Sequence, residues 1–236
     1  MVKQKDKKII FVIVEGPSDQ EALTLALKAI FSSEEVYVHV TFGDITTKYG
    51  TRPDNIVKII DAMVRKYRQT YRVKLSDFMG IIHIVDTDGA FISPDFVVED
   101  PKAQKVIYTL EEIRTKNKKE IEFRNIQKRD NIGKLTTVKQ INSISYRIFY
   151  MSSNLDHVLY DKQMSTDEEK ENNAHLFAKK YKNDPEGFLG FINNSDFSVS
   201  GPYKQTWDFI KKDKNSLHRH TNLGICLSSR KIGDLL

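Results

Sequence analysis

Three short apolar runs, at residues 9–14, 36–42 and 81–85, are separated by two segments whose apolar residues recur at helical spacing. The runs are too short for helices and rich in Val, Ile and Phe. Each is closed by turn residues: Glu15-Gly16-Pro17, Gly43-Asp44 and Asp86-Thr87-Asp88-Gly89. The first and third read as strands buried on both faces, and the second, which alternates, as a further strand. Between them, Ala22, Leu23, Leu25, Ala26, Leu27, Ala29 and Ile30 predict a helix over 19–31. Ile56, Ile59, Ile60, Met63, Val64 and Tyr67 do the same over 54–72. Ser18 with Glu21 three residues on predicts a capping box. Strands alternating with helices in this way admit few folds, chiefly a parallel sheet with right-handed crossovers and helices packed on it.

In open α/β sheets, ligands bind beyond the carboxyl ends of the strands. Glu15, Asp86 and Asp88 emerge there, close in space though distant in sequence. Clustered carboxylates repel one another unless a cation neutralises them, and an all-oxygen set suits Mg²⁺ or Mn²⁺. Asp86 and Asp88, two apart on an extended backbone, are expected to point the same way. Gly16 permits a tight turn and lets a phosphate approach the helix N-terminus. Asp19, in the first turn of that helix, reads either as a metal ligand or as an acid favoured by the helix dipole. Asp44 reads equally as a cleft residue or a turn-former.

Beyond Gly89 the pattern loosens. Residues 91–98, with Pro94, read as irregular, and 102–142 as a lysine-rich helix with an exposed insert. Residues 146–151 read as a fourth strand, with a helix over 154–160 at its carboxyl end. Helical stretches follow at 166–181, 185–193 and 202–214. The expected organisation is a domain at 1–160 with an insert at about 100–143, and a helical C-terminal subregion at 161–236 packed on it. Charge is uneven, with 12 basic against 5 acidic residues between 101 and 150. A basic middle beside an acidic pocket suits a polyanion. Lys116, Lys118, Lys119, Arg124, Lys128 and Arg129 are the candidate nucleic-acid contacts, a solvated charged surface being the alternative. Cys226 is the only cysteine, which argues against a disulfide framework or thiolate zinc cluster and for a reducing, cytoplasmic setting. No run approaches the ~20 apolar residues of a membrane span, and the first run does not read as a signal peptide.

Phe11-Val12-Ile13-Val14-Glu15-Gly16 and Ile82-His83-Ile84-Val85-Asp86-Thr87-Asp88-Gly89, in that order and each at a strand end, resemble the TOPRIM domain. That domain is shared by type IA and II topoisomerases, bacterial primases, small ribosomal-RNA maturases and overcoming-lysogenization-defect nucleases. Asp19 resembles the extra acid of the nuclease members. Tyr150-Met151-Ser152-Ser153-Asn154-Leu155-Asp156 resembles a later strand, Ser-containing turn and acid, with Asp156 where that branch usually has Glu. The resemblance covers residues 8–95 and, more loosely, 144–160. It implies a TOPRIM-like, Rossmann-like, mostly parallel sheet of about four strands.

It also implies a metal-dependent nuclease acting on DNA or RNA. Asp86, Asp88 and Asp19 would hold Mg²⁺ or Mn²⁺, and Glu15 would be a ligand or the general base. Two ions about 3.5–4 Å apart can stabilise both the attacking and the leaving oxygen. Family nucleases use a lysine late in the domain, for which Lys204, Lys211, Lys212 and Lys214 are candidates. His157, His218 and His220 are further polar candidates, for which surface or structural roles are the plainer reading. The stand-alone nuclease branch implies antiphage defence with an ATPase partner. This chain has no Gly-x4-Gly-Lys-Ser/Thr loop of its own, so that partner would be separately encoded. Two alternatives stand beside this: a non-catalytic TOPRIM-like nucleic-acid-binding or regulatory subunit, and a haloacid-dehalogenase-like phosphatase. The phosphatase reading lacks the Thr or Val expected two residues after the second Asp, where Ala90 stands, before Phe91.

Overall fold

The computed structural model of the chain describes residues 8–31 and 36–228. Strand β1 (Lys8–Val14) is buried from Ile9 onward, and its alternating side chains feed two separate cores. Ile10, Val12 and Val14 share one with Ala22, Leu23 and Leu27 of α1 (Pro17–Phe31), which leads to β2 (Val36–Phe42). Ile9, Phe11 and Ile13 share the other with Ile56, Ile60, Val64 and Tyr67 of α2 (Ile56–Tyr71), which leads to β3 (Phe78–Asp86). An apolar residue every third or fourth position therefore suffices to seat each helix on its face of the sheet. The expected Ser18–Glu21 capping box does not form. The helix starts two residues earlier, and the Gly16 N–H donates to Asp19 Oδ2 at 2.8 Å.

Residues 91–117, expected to be irregular or exposed, carry a small sheet. β4 (Val97–Glu99) runs parallel to β6 (Ile113–Thr115), and β5 (Ile107–Tyr108) antiparallel to it. Strands of two and three residues are too short to show a period, so sequence patterning misses them. A 20-residue helix, α3 (Lys118–Thr137), follows, capped by the Asn117 side chain. It is no exposed insert: Ile121, Asn125, Lys128, Asn131, Ile132 and Leu135 are buried along one side. β7 (Gln140–Ile141) then turns back into β8 (Ile144–Met151). The central sheet has the order β2-β1-β3-β8-β7, parallel except for β7. The chain is thus an α/β protein with a mixed, mostly parallel sheet flanked by helices, an arrangement compatible with Rossmann-like winding.

The helices α4 (Leu155–Tyr160), α5 (Asp167–Tyr181), α6 (Pro185–Asn194), α7 (Tyr203–Ile210) and α8 (Leu223–Ser228) complete the fold. α5 begins on a Thr166–Glu169 capping box and α6 on the Asp184 side chain with Pro185 next, so both starts are written locally. α7 is shorter than the expected 202–214, and α8 has no counterpart in the sequence reading. Phe177, Tyr181, Phe188, Ile192, Leu223 and Leu227 join the α1 core, whereas Trp207 and Ile210 join the α2 core. Among the described residues no helix is long and apolar enough to cross a membrane.

Candidate metal centre

Glu15 follows the last residue of β1, and Asp86 ends β3, the strand paired beside it. The sheet winds one way from β1 to β2 and the other way to β3. Both acids therefore stand at the reversal, where an open sheet leaves a crevice. Asp86 keeps the alternation of β3, on the side of Ile82 and Ile84. Asp88 does not: φ is 47° there and 64° at Gly89, so the chain leaves the strand through a left-handed turn. This corrects the expectation of an extended pair; the turn, not the pleat, brings Asp88 to the crevice. The turn is held by the Thr87 N–H on Met151 O at 2.9 Å and the Asp88 N–H on Ser153 O at 2.7 Å. The Thr87 hydroxyl accepts from the Ser153 N–H at 2.9 Å and donates to Ser216 O at 3.0 Å.

Lys128 of α3 reaches into this acid group with no exposed surface. Its Nζ lies 3.2 Å from Glu15 Oε2 and also donates to Asp88 Oδ2. The other Glu15 oxygen accepts from Thr46 Oγ1 at 3.1 Å. Neighbouring side chains pin α3 around the lysine. Arg124 donates to Asp88 O at 2.9 Å and to Tyr108 Oη; Gln127 donates to Lys48 O at 3.0 Å; Asn131 donates to Thr46 O at 2.8 Å. The one ammonium acts unequally on its two acids. At Glu15 burial outweighs the pull of Lys128 and, with repulsion from Asp88 and Asp44, pushes the carboxyl up to about 8. At Asp88 burial is overcome by Lys128 and Arg124, and the carboxyl lies below its ordinary range. Lys128 is itself raised: burial opposes its charge, but Asp88 and Glu15 prevail.

Asp86 and Asp19 share no such partner. Burial, then repulsion from Asp19, Glu15 and Asp88, raises the Asp86 carboxyl well above its ordinary range. Burial also raises Asp19, against its hydrogen bond from Gly16 and with repulsion from Asp156. Asp156, in α4, is buried, and its Oδ2 has no hydrogen-bond partner. Glu15, Asp19, Asp44, Asp86 and Asp88 line one cleft of about 840 Å³, opposite Asp167, Lys170, Glu171 and His175 around the start of α5. Asp44 also makes its turn, accepting from the Thr47 N–H at 3.1 Å. Among the described residues no three such groups stand ready-arranged around one point. The donor chemistry nevertheless fits a hard divalent cation. Carboxylate oxygens crowd one crevice, and among the described residues two of the acids, Asp19 and Asp86, have no cation within salt-bridge reach.

The other sequence candidates fall elsewhere. Lys128 is no surface contact, and half-buried Arg124 is tied to the Asp88 carbonyl, so two of the six proposed nucleic-acid residues belong to the centre instead. Lys116 and Lys119 are exposed, Arg129 is half-buried, and Lys118 faces Glu122 at 3.8 Å. Lys204 is exposed on α7, Lys211 and Lys212 are exposed after it, and Lys214 pairs with Glu111; none lines the cleft. His157 is buried with its pKa lowered by burial to about 4, and His218 contacts Leu110 O at 3.1 Å. The role of Lys128 was missed because α3 buries a polar stripe, Asn125, Lys128 and Asn131, beside Ile121, Ile132 and Leu135. Their recurrence every three residues is the one signal in the sequence that could have found it. No family model, curated protein or solved structure matches this chain.

Proposed function

We propose that this protein is a metal-dependent nuclease of TOPRIM type, hydrolysing phosphodiester bonds in DNA or RNA. The observation that carries the reading is the meeting of Glu15 with Asp86 and Asp88 at the winding reversal of a mostly parallel sheet. Asp86 and Asp19, with Glu15 and Asp88 beside them, would hold Mg²⁺ or Mn²⁺. When bound, the cation supplies charge stabilisation for the phosphoryl oxygens and an acidified water.

The chain's own groups do the rest. Burial leaves Glu15 with a proton affinity suited to transfer near neutral pH, the condition for a general base. Lys128 and Lys170 place positive charge beside and across the cleft. The α1 N-terminus presents amides without helical partners to a phosphate oxygen. By resemblance to the stand-alone branch, the biological setting is antiphage defence with a separate ATPase.

The test is incubation of the purified chain with plasmid, single-stranded DNA and RNA in Mg²⁺ or Mn²⁺. Glu15→Gln and Asp86→Asn are expected to lower cleavage by about 100-fold or more. Equal cleavage by wild type and variants would falsify the assignment. One observation favours the non-catalytic alternative: Lys128 already satisfies two of the acids, as a purely structural centre would require. Calorimetric Mg²⁺ binding without cleavage of any of these substrates would select that reading.

A further inference from the structure

We infer that Lys128 is a built-in second cation, so that the centre takes one divalent ion where a two-ion site would take two. The inference rests on the metal-dependent reading above and specifies it.

The acids divide into two halves. Glu15 and Asp88 share the Lys128 ammonium, which no solvent reaches. Asp19 is buried and Asp86 half-buried; they repel one another and, among the described residues, neither makes an ion pair within 4.0 Å. Asp156, itself buried, adds its repulsion to Asp19. Two crowded carboxylates withdrawn from water with no cation against them are disfavoured, so the Asp19–Asp86 half is where an added cation gains most.

Lys128 is also not free to withdraw. An exposed lysine swings on four rotatable bonds, but this one is held in a helix pinned before and after it. Arg124 grips the carbonyl of Asp88 and the Tyr108 hydroxyl; Gln127 and Asn131 grip the carbonyls of Lys48, Thr51 and Thr46. Displacing the ammonium from Glu15 and Asp88 would require undocking α3. A divalent ion entering the Glu15–Asp88 half would meet an ammonium in contact with both acids, whereas in the Asp19–Asp86 half Lys128 and Lys170 act only from beyond salt-bridge distance. Lys128 thus places one permanent charge where a second ion would otherwise stabilise a phosphoryl oxygen, acting as a charged partner on a fixed scaffold.

The experiment is Mn²⁺ titration of the whole chain, counting bound ions by electron paramagnetic resonance and by calorimetry, with thermal unfolding in parallel. The expected count is one Mn²⁺ per wild-type chain. Lys128→Gln is expected to bind a second ion, and to melt lower than wild type in chelator but recover more when Mn²⁺ is added. Asp19→Asn is expected to weaken the single wild-type site about tenfold or more. Two ions on the wild type, or a folded Lys128→Gln chain that still takes one, overturns the inference and leaves the metal-dependent reading standing. No ion on the wild type overturns both. Should Lys128→Gln not fold, the wild-type count and the Asp19→Asn affinity decide.

Discussion

At Gly89 the backbone stands at φ 64°, and a Cβ added there would lie 2.6 Å from Leu217 and 3.0 Å from Ile113. Only glycine avoids both the strained dihedral and the clash. Gly89→Ala is therefore expected to destabilise the chain by about 2–3 kcal/mol, measured by urea unfolding. It should also move Asp88, because the same turn carries both. His83 is a second residue with a measurable consequence. It is fully buried in β3, with Nδ1 2.8 Å from the Tyr146 hydroxyl, and burial lowers its pKa from 6.5 to about 3. The unfolded chain takes up this proton below pH 6.5 and the folded chain only near 3, so the neutral imidazole's stability is intact above 6.5 and erodes as pH falls. By pH 5 the loss amounts to about 2 kcal/mol. Comparing His83→Leu with wild type between pH 7.5 and 5 should show the variant losing less by about that amount; parallel curves would reject it. Glu15 and Asp86 were legible as site residues because each directly follows an apolar strand. The left-handed turn at Asp88 was not, since its conformation is imposed by Ser153 and Met151, more than sixty positions away.

At the level of elements, α3 departs furthest from what sequence patterning expects. β1, α1, β2, α2 and β3 were readable because their burial is apolar and periodic. α3 buries Asn125, Lys128 and Asn131 instead, so its inward face looks like an outward one. Lysine-rich composition then suggested a solvated segment, and the polar partners of its inward face lie just after β1, in the 43–52 loop and in the turn after β3. Its start is local in origin: the Asn117 side chain accepts from the Glu120 N–H at 3.2 Å. Asn117→Ala is expected to cost about 1 kcal/mol by removing this cap. Leu135→Ala, which removes a fully buried side chain from the α2 core, is expected to cost about 2–5 kcal/mol. Both follow from chemical unfolding, and the order of the two effects is the check. A larger loss at residue 117 than at 135 would mean that α3 is held by its end rather than its face.

For the whole molecule, the sheet separates two cores, and the helices after β8 contribute to both. Phe177, Tyr181, Phe188, Ile192, Leu223 and Leu227 close one side, Trp207 the other. The Tyr150 N–H donates to Asn222 Oδ1 at 2.9 Å, tying the last sheet strand to the final helices. Each of these large side chains contributes about 1.5–3 kcal/mol by burial, and a whole domain has only about 5–15 kcal/mol in hand. A chain ending at Tyr160 is therefore expected to show no cooperative melting transition by circular dichroism. A sharp transition from that fragment would show the strand-and-helix portion to be self-sufficient.

The lysine that joins Glu15 lies 113 residues after it in the chain. During synthesis the three acids leave the ribosome well before their ammonium, and β8, which flanks β3, comes later still. A nascent chain halted before α3 carries those carboxylates with nothing to offset their repulsion, so they stay hydrated and apart. Completion of the centre is a late event of biosynthesis, and its integrity reports that the whole sheet has closed.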